Sequence, residues 1–135
     1  MKCKELMVGD WVSDEYGYLL QVTFVSNGYI GFHDDEENPC QLDDKYNQPK
    51  PIPLTPEILE KNGFCFIKSS DRDTVWNGWW IYKGLELGVC CLDRNANWPC
   101  CINITDLNIP CEYVHQLQHA LRLCGLNEVA DNFKI

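Results

Sequence analysis

Apolar residues along most of this chain come in short runs broken by Gly, Asn, Asp and Pro, and only in the last quarter do they settle into three- and four-residue spacing. Short bounded runs are the pattern of strands, and the longer period is that of a helix with one buried face. Residues 6–12 predict a first strand, Asp14-Glu15-Tyr16-Gly17 a turn, residues 18–25 a second strand, and residues 29–33 a third. Between the last two stands Asn27-Gly28, the strongest short hairpin signal a sequence carries. A two-residue loop there sets Val25 opposite Ile30 and Thr23 opposite Phe32 on one side, with Phe24 opposite Gly31 on the other.

The pattern changes near residue 50. Pro49, Pro51 and Pro53 alternate with other residues and predict an extended, hinge-like connector with few backbone donors. A helix over 55–62 follows. Thr55 is its N-cap, Pro56 its first residue and Gly63 the left-handed residue after its last turn, while Leu54 and Leu59 occupy the two positions of a hydrophobic staple. Residues 64–68, 74–82, 85–92 and 98–105 then read as an antiparallel meander with short polar turns. A closing helix over about 109–124 carries Tyr113, Val114, Leu117, Ala120, Leu121 and Cys124 as one stripe, with Gly125 and Leu126 completing a Schellman stop. The expected class is α+β in two lobes. Residues 1–48 form a strand-rich lobe, an SH3-like barrel or an open meander, and residues 49–135 form the helix, the meander with strands at about 64–105, and the closing helix.

Charge separates the same two lobes. Of the net -9 over 135 residues, residues 1–48 carry 10 acids and 3 bases, and residues 49–135 carry 10 acids and 8 bases. A phosphate backbone is gripped through Lys and Arg, so direct nucleic-acid binding is not expected. Nor is a membrane partner, since no run approaches the roughly 18 apolar residues of a span. Nine cysteines, an odd number behind an N-terminus that does not read as a secretion signal, point to buried thiols in a reducing, cytoplasmic setting.

Four groups of residues carry candidate chemistry. His115 and His119 lie at i and i+4 with Cys111 one turn before them, a spacing that suits zinc, and zinc is the one cofactor the sequence brings to mind. Gln116 stands where a zincin has its general-base Glu, so protease chemistry is not expected. Cys111 beside a helix start, with His115 one turn on, also meets the loose requirements of an activated thiol, although no third orienting group is identifiable. Cys90-Cys91 and Cys100-Cys101 would face each other across a hairpin, as buried thiols rather than a zinc turn. Trp76, Trp79, Trp80 and Tyr82 concentrate aromatic area on one strand, either as a ligand or partner surface or as core between the lobes. Asp34, Asp35, Glu36, Glu37, Asp43 and Asp44 form an acidic surface that lacks the ligand spacing of a calcium loop.

Pro51-Ile52-Pro53-Leu54-Thr55-Pro56-Glu57-Ile58-Leu59-Glu60-Lys61-Asn62-Gly63-Phe64, with Gly9-Asp10-Trp11-Val12 and Tyr113-Val114-His115-Gln116-Leu117-Gln118, resembles a family of small uncharacterised proteins of Bacteroides-type gut bacteria, their phages and integrated elements. The resemblance implies a setting rather than a reaction. In that setting the sequence leads to a phage- or prophage-associated, non-enzymatic binding module acting on a host protein or small ligand. One alternative is an acidic nucleic-acid mimic that inhibits a host nuclease or defence factor. Another is a metal- or thiol-dependent enzyme using Cys111, His115 and His119.

Overall fold

The structure is a computed structural model and describes residues 1–68, 78–82, 87–90, 101–104 and 107–135. Among them the fold is α+β, with three antiparallel sheets and three α-helices. After a 3-10 turn at Cys3–Glu5, strands β1 (Trp11–Ser13), β2 (Leu19–Gln21) and β6 (Lys50–Pro51) form one sheet in the order β2-β1-β6. Strands β3 (Phe24–Ser26), β4 (Tyr29–His33) and β5 (Pro39–Asp43) form a second in chain order. The inner sides of the two sheets enclose one cluster built on Cys3, Leu6, Val12, Leu20, Val22, Ile30 and Leu42.

The Asn27-Gly28 hairpin has the expected register, with Val25 opposite Ile30 and Phe24 opposite Gly31. Two longer strands do not form. In place of a strand over 6–12, Gly9 turns the chain at φ 92° and the Asp10 carboxylate accepts the Met7 amide at 2.8 Å, so pairing begins only at Trp11. The run 18–25 divides because Val22 donates to the Asp10 carbonyl at 2.8 Å while Thr23 donates to the Gly31 carbonyl at 2.9 Å, so successive residues serve different sheets.

The connector is a strap rather than a hinge. Lys50 and Pro51 pair with Ser13 and Val12, and just beyond them Leu54 donates to the Glu112 carbonyl while Val114 donates to that of Ile52, both at 2.9 Å. Proline removes donors and leaves carbonyls and neighbouring amides available, so an extended run of alternate prolines still pairs on both sides. Helix α1 (Pro56–Lys61) follows as expected: Thr55 Oγ1 accepts the Ile58 amide at 3.3 Å, Leu54 and Leu59 are buried, and Gly63 has φ 85°.

Strands β7 (Phe64–Lys68), β8 (Gly78–Tyr82), β9 (Leu87–Cys90), β10 (Cys101–Ile104) and β11 (Leu107–Pro110) form an antiparallel meander in the order β11-β10-β9-β8-β7. Cys90 stands opposite Cys101, as the hairpin reading expected, whereas the proposed pair Cys91 and Cys100 lies outside the described residues. Helix α2 (Val114–Leu123) begins five residues later than the apolar spacing suggests, because Ile109 and Pro110 pair with Ile102 and Cys101 as part of β11. Its stop is the expected Schellman arrangement, with Leu126 donating to the Leu121 carbonyl at 2.9 Å and Gly125 to that of Arg122 at 3.0 Å. Helix α3 (Asn127–Asp131) folds back on it, and a second cluster gathers Leu54, Leu59, Phe64, Tyr82, Leu117, Leu121 and Phe133. No helix among the described residues is long and apolar enough to cross a membrane.

Candidate functional site

Helix α2 meets the first lobe at the turn 7–11, and the contact is polar. Asp10 is fully buried, its two carboxylate oxygens accepting Arg122 Nη1 at 2.7 Å and meeting His119 Nε2 at 2.7 Å. Arg122 Nη2 also reaches the Val8 carbonyl at 3.2 Å and Asp131 Oδ1 at 3.3 Å. One turn back, the fully buried Gln118 accepts the Trp11 amide at 2.9 Å and donates to the carbonyls of Gly9 and Ala130, both at 2.8 Å. The Trp11 indole donates to the Phe133 carbonyl at 2.8 Å. A carboxylate without solvent is stable only when each lone pair finds a donor, and here every named oxygen has one. The segments 9–12 and 113–118 thus meet in one interlobe lock, and the strap at 50–54 lies beside it.

The lock has little left over for catalysis. His119 is oriented by Asp10 as in many acid–base pairs, but Arg122 shares the same carboxylate. His115 is buried, stacks on Tyr113 at 6.0 Å and stands edge-on to His119 at 5.8 Å. Its Nδ1 lacks a hydrogen-bond partner, and burial pushes its pKa down from the ordinary 6.5. Cys111 is fully buried with its thiol 3.9 Å from the Tyr113 carbonyl. Among the described residues no three His, Cys, Asp or Glu side chains converge to hold a metal ion, so Cys111, His115 and His119 do not meet as a ligand set. Gln116, at the position of the zincin base, instead accepts the Glu112 and Tyr113 amides at 2.8 and 3.1 Å and caps the helix.

The aromatic strand turns largely inward where it is described. Tyr82 is in the core with its ring 5.4 Å from that of Phe64, and Trp80, packed against the same cluster, lies 5.3 Å from Phe66. Trp79 is placed by register alone, opposite Ile67 and Cys90, and Trp76 lies outside the described residues.

Half of the acidic residues are joined to the backbone. Asp34 Oδ1 accepts the amides of Glu36 and Asn38 at 2.9 and 2.8 Å, and Asp43 Oδ1 accepts those of Lys45 and Tyr46 at 2.7 and 2.6 Å. Asp44 Oδ1 accepts the Cys3 amide at 2.7 Å. The amides hold all three carboxyls below their usual range, that of Asn38 first for Asp34, of Tyr46 for Asp43 and of Cys3 for Asp44. Burial and Asp44 in turn push the Cys3 thiol up to about 11, so it stays protonated. Asp35, Glu36 and Glu37 have exposed positions.

Sequence reasoning passed over the outer side of β3-β4-β5. Ile30, Leu42 and Val25 face the core, so Phe24, Ser26, Tyr29, Gly31, Gln41 and His33 face outward. Phe24 is 52% and Tyr29 38% exposed, with ring centroids 5.8 Å apart. The predicted register already carried that signal, since it put Phe24 opposite Gly31 and away from Val25. Beside the lock, an open cleft of about 800 Å³ is lined by Met7, Val8, Gln21, Thr23, Arg122 and Asp131. Compared with known proteins, the chain matches no protein-family profile, no curated protein and no solved structure.

Proposed function

We propose that this chain is a non-enzymatic binding module whose recognition surface is the outer face of β3-β4-β5. The observation that supports it is the Phe24–Tyr29 pair, two large rings left half in solvent on a sheet whose other side is fully engaged in a core. Exposed aromatic area on a rigid sheet costs solvation and little entropy on docking, which is why such residues anchor interfaces. The chemically versatile groups, by contrast, hold the two lobes together. In the bacterial or phage setting implied by the family resemblance, the partner is a host protein. The mimic reading depends on freely presented carboxylates, and the backbone bonds of Asp34, Asp43 and Asp44 weigh against it.

The test is capture from host lysate by the wild-type chain and by Phe24→Ala/Tyr29→Ala, followed by hydrogen-exchange footprinting of any stoichiometric complex. Binding that is lost in the variant, with protection centred on β3 and β4, is expected. Protection confined to the lock or to α2 would sink the proposal.

A further inference from the structure

We infer that the occupant of this face is a basic protein segment, with one Arg or Lys over the Phe24–Tyr29 pair and a second base reaching the carboxylates of Asp35, Glu36 and Glu37. The inference rests on the binding reading above and names the chemistry of the partner. Three features of the sheet carry it.

The first is the shape of the face. Gly31 sits opposite Phe24, and a Cβ added at Gly31 would come 3.3 Å from the Cβ and 3.9 Å from Cδ1 of Phe24, so the Phe24 side chain leans over the bare backbone of Gly31 beside Tyr29. The two rings, 5.8 Å apart and tilted by 35°, touch each other and present one continuous apolar patch, on which a flat group such as a guanidinium can lie from the solvent side. The second is charge. Residues 1–48 carry 10 acids and 3 bases, so an approaching segment meets a negative potential that favours cations and repels nucleic acid. The third is distance. Phe24 is level with Gly31, two residues before β4 ends at His33, and the acidic loop starts there. At about 3.4 Å per residue this is roughly 7–10 Å, or two to three residues of an extended peptide. Cation–π attraction at the rings and carboxylate attraction at the loop thus act on neighbouring bases of one segment.

The test is a titration of the isotope-labelled full chain, followed by backbone amide NMR, with three nine-residue peptides of alanine and serine. One carries two arginines three positions apart, one has citrulline in their place, and one glutamate. The arginine peptide should shift the amides of Phe24, Gly31 and Gln41 and of loop 34–38, and should weaken as salt is raised. Phe24→Leu and Tyr29→Leu, whose folding is verified in the same spectra, should each weaken it about 2- to 5-fold, the worth of an exposed cation–π contact. Neutralising Asp35, Glu36 and Glu37 together to Asn and Gln should weaken it further. Equal binding of the citrulline peptide would overturn the basic-partner inference and leave the binding module standing. Absence of any shift at this face with the arginine peptide would overturn the inference too, whereas the lysate footprint decides the module reading independently.

Discussion

Gly9 shows how closely single residues are fitted at the interlobe lock. Its φ of 92° already disfavours any side chain, and a Cβ there would lie 2.8 Å from Asp131 Oδ1 and 2.9 Å from Arg122 Nη2. Asp131 is exposed and can swing away, so the steric cost is partly relieved at the expense of its ion pair. Gly17, at φ 89°, has nothing within 4 Å and isolates the backbone term alone. Gly9→Ala should therefore cost about 2 kcal/mol in urea unfolding, and Gly17→Ala about 1 kcal/mol. Equal losses would mean that Arg122 and Asp131 do not depend on the missing side chain. His115 makes the lock sensitive to pH. Burial is the main cause of its lowered pKa, with the charge of His119 and the N-terminal amine acting the same way and Asp10 and Glu5 opposing. Between that lowered value and 6.5 the unfolded chain binds more protons than the folded one, so stability is full above 6.5 and is lost as pH falls below it. The lowered carboxyls of Asp34, Asp43 and Asp44 act in the same direction only below 3.8, well outside that window. Replacing this ring, whose Nδ1 lacks a hydrogen bond, by His115→Leu should flatten the stability profile between pH 7.5 and 5.5, and an unchanged profile would remove His115 as its cause.

The elements differ in how plainly the sequence specifies them. Helix α1 and the end of α2 were legible to the residue because their stops depend on local chemistry: a Thr oxygen over an amide, a glycine that can turn left-handed. The start of α2 was not, because Ile109 and Pro110 are claimed by β10, a partner set by tertiary pairing. Gln118 was legible in principle. It interrupts the stripe of Val114, Leu117 and Leu121 with a polar group at an apolar position, and such a group is buried only where backbone waits to be satisfied. The first lobe repeats a device that single residues do not announce. Asp14, Asp34 and Asp43 each open a five-residue loop in which the aspartate amide donates to the carbonyl four residues on, and the carboxylate accepts amides inside the loop. Acidity that reads as a surface charge is thus partly turn chemistry. Asp14→Ala should cost about 1 kcal/mol and speed hydrogen exchange at Tyr16 and Tyr18, leaving Glu36 and Asn38 unchanged. Exchange that rises equally in both loops would point to a general loosening instead.

At the scale of the whole molecule, two apolar clusters are joined by a seam that is mostly hydrogen bonds and ions. Trp11 is the main apolar bridge: it belongs to β1, packs against the second cluster and ties its indole to the Phe133 carbonyl. Asn62 holds the same tail from the other side, through the amide and carbonyl of Lys134 at 2.8 and 2.7 Å. Polar seams couple lobes strongly while intact, since breaking one partner strands several buried groups at once. Gln118 is the sharpest place to test this, because it serves Gly9 and Trp11 in the first lobe and Ala130 in the second. Gln118→Leu keeps the volume of the site, leaves the Trp11 amide without its partner and takes one donor each from the Gly9 and Ala130 carbonyls, which keep Gln21 Nε2 and the Phe133 amide, a loss of about 2 kcal/mol or more. The loss falls on the seam and spares both clusters, so the lobes should then open separately. In native-state hydrogen exchange, Val12 and Leu20 of the first cluster and Leu117 and Leu121 of the second should share one opening free energy in the wild type and diverge in the variant. If the two sets fall together by the same amount, the lobes are coupled through the strap at 50–54 and the paired ends of β1 and α2, and the polar lock contributes stability without cooperativity.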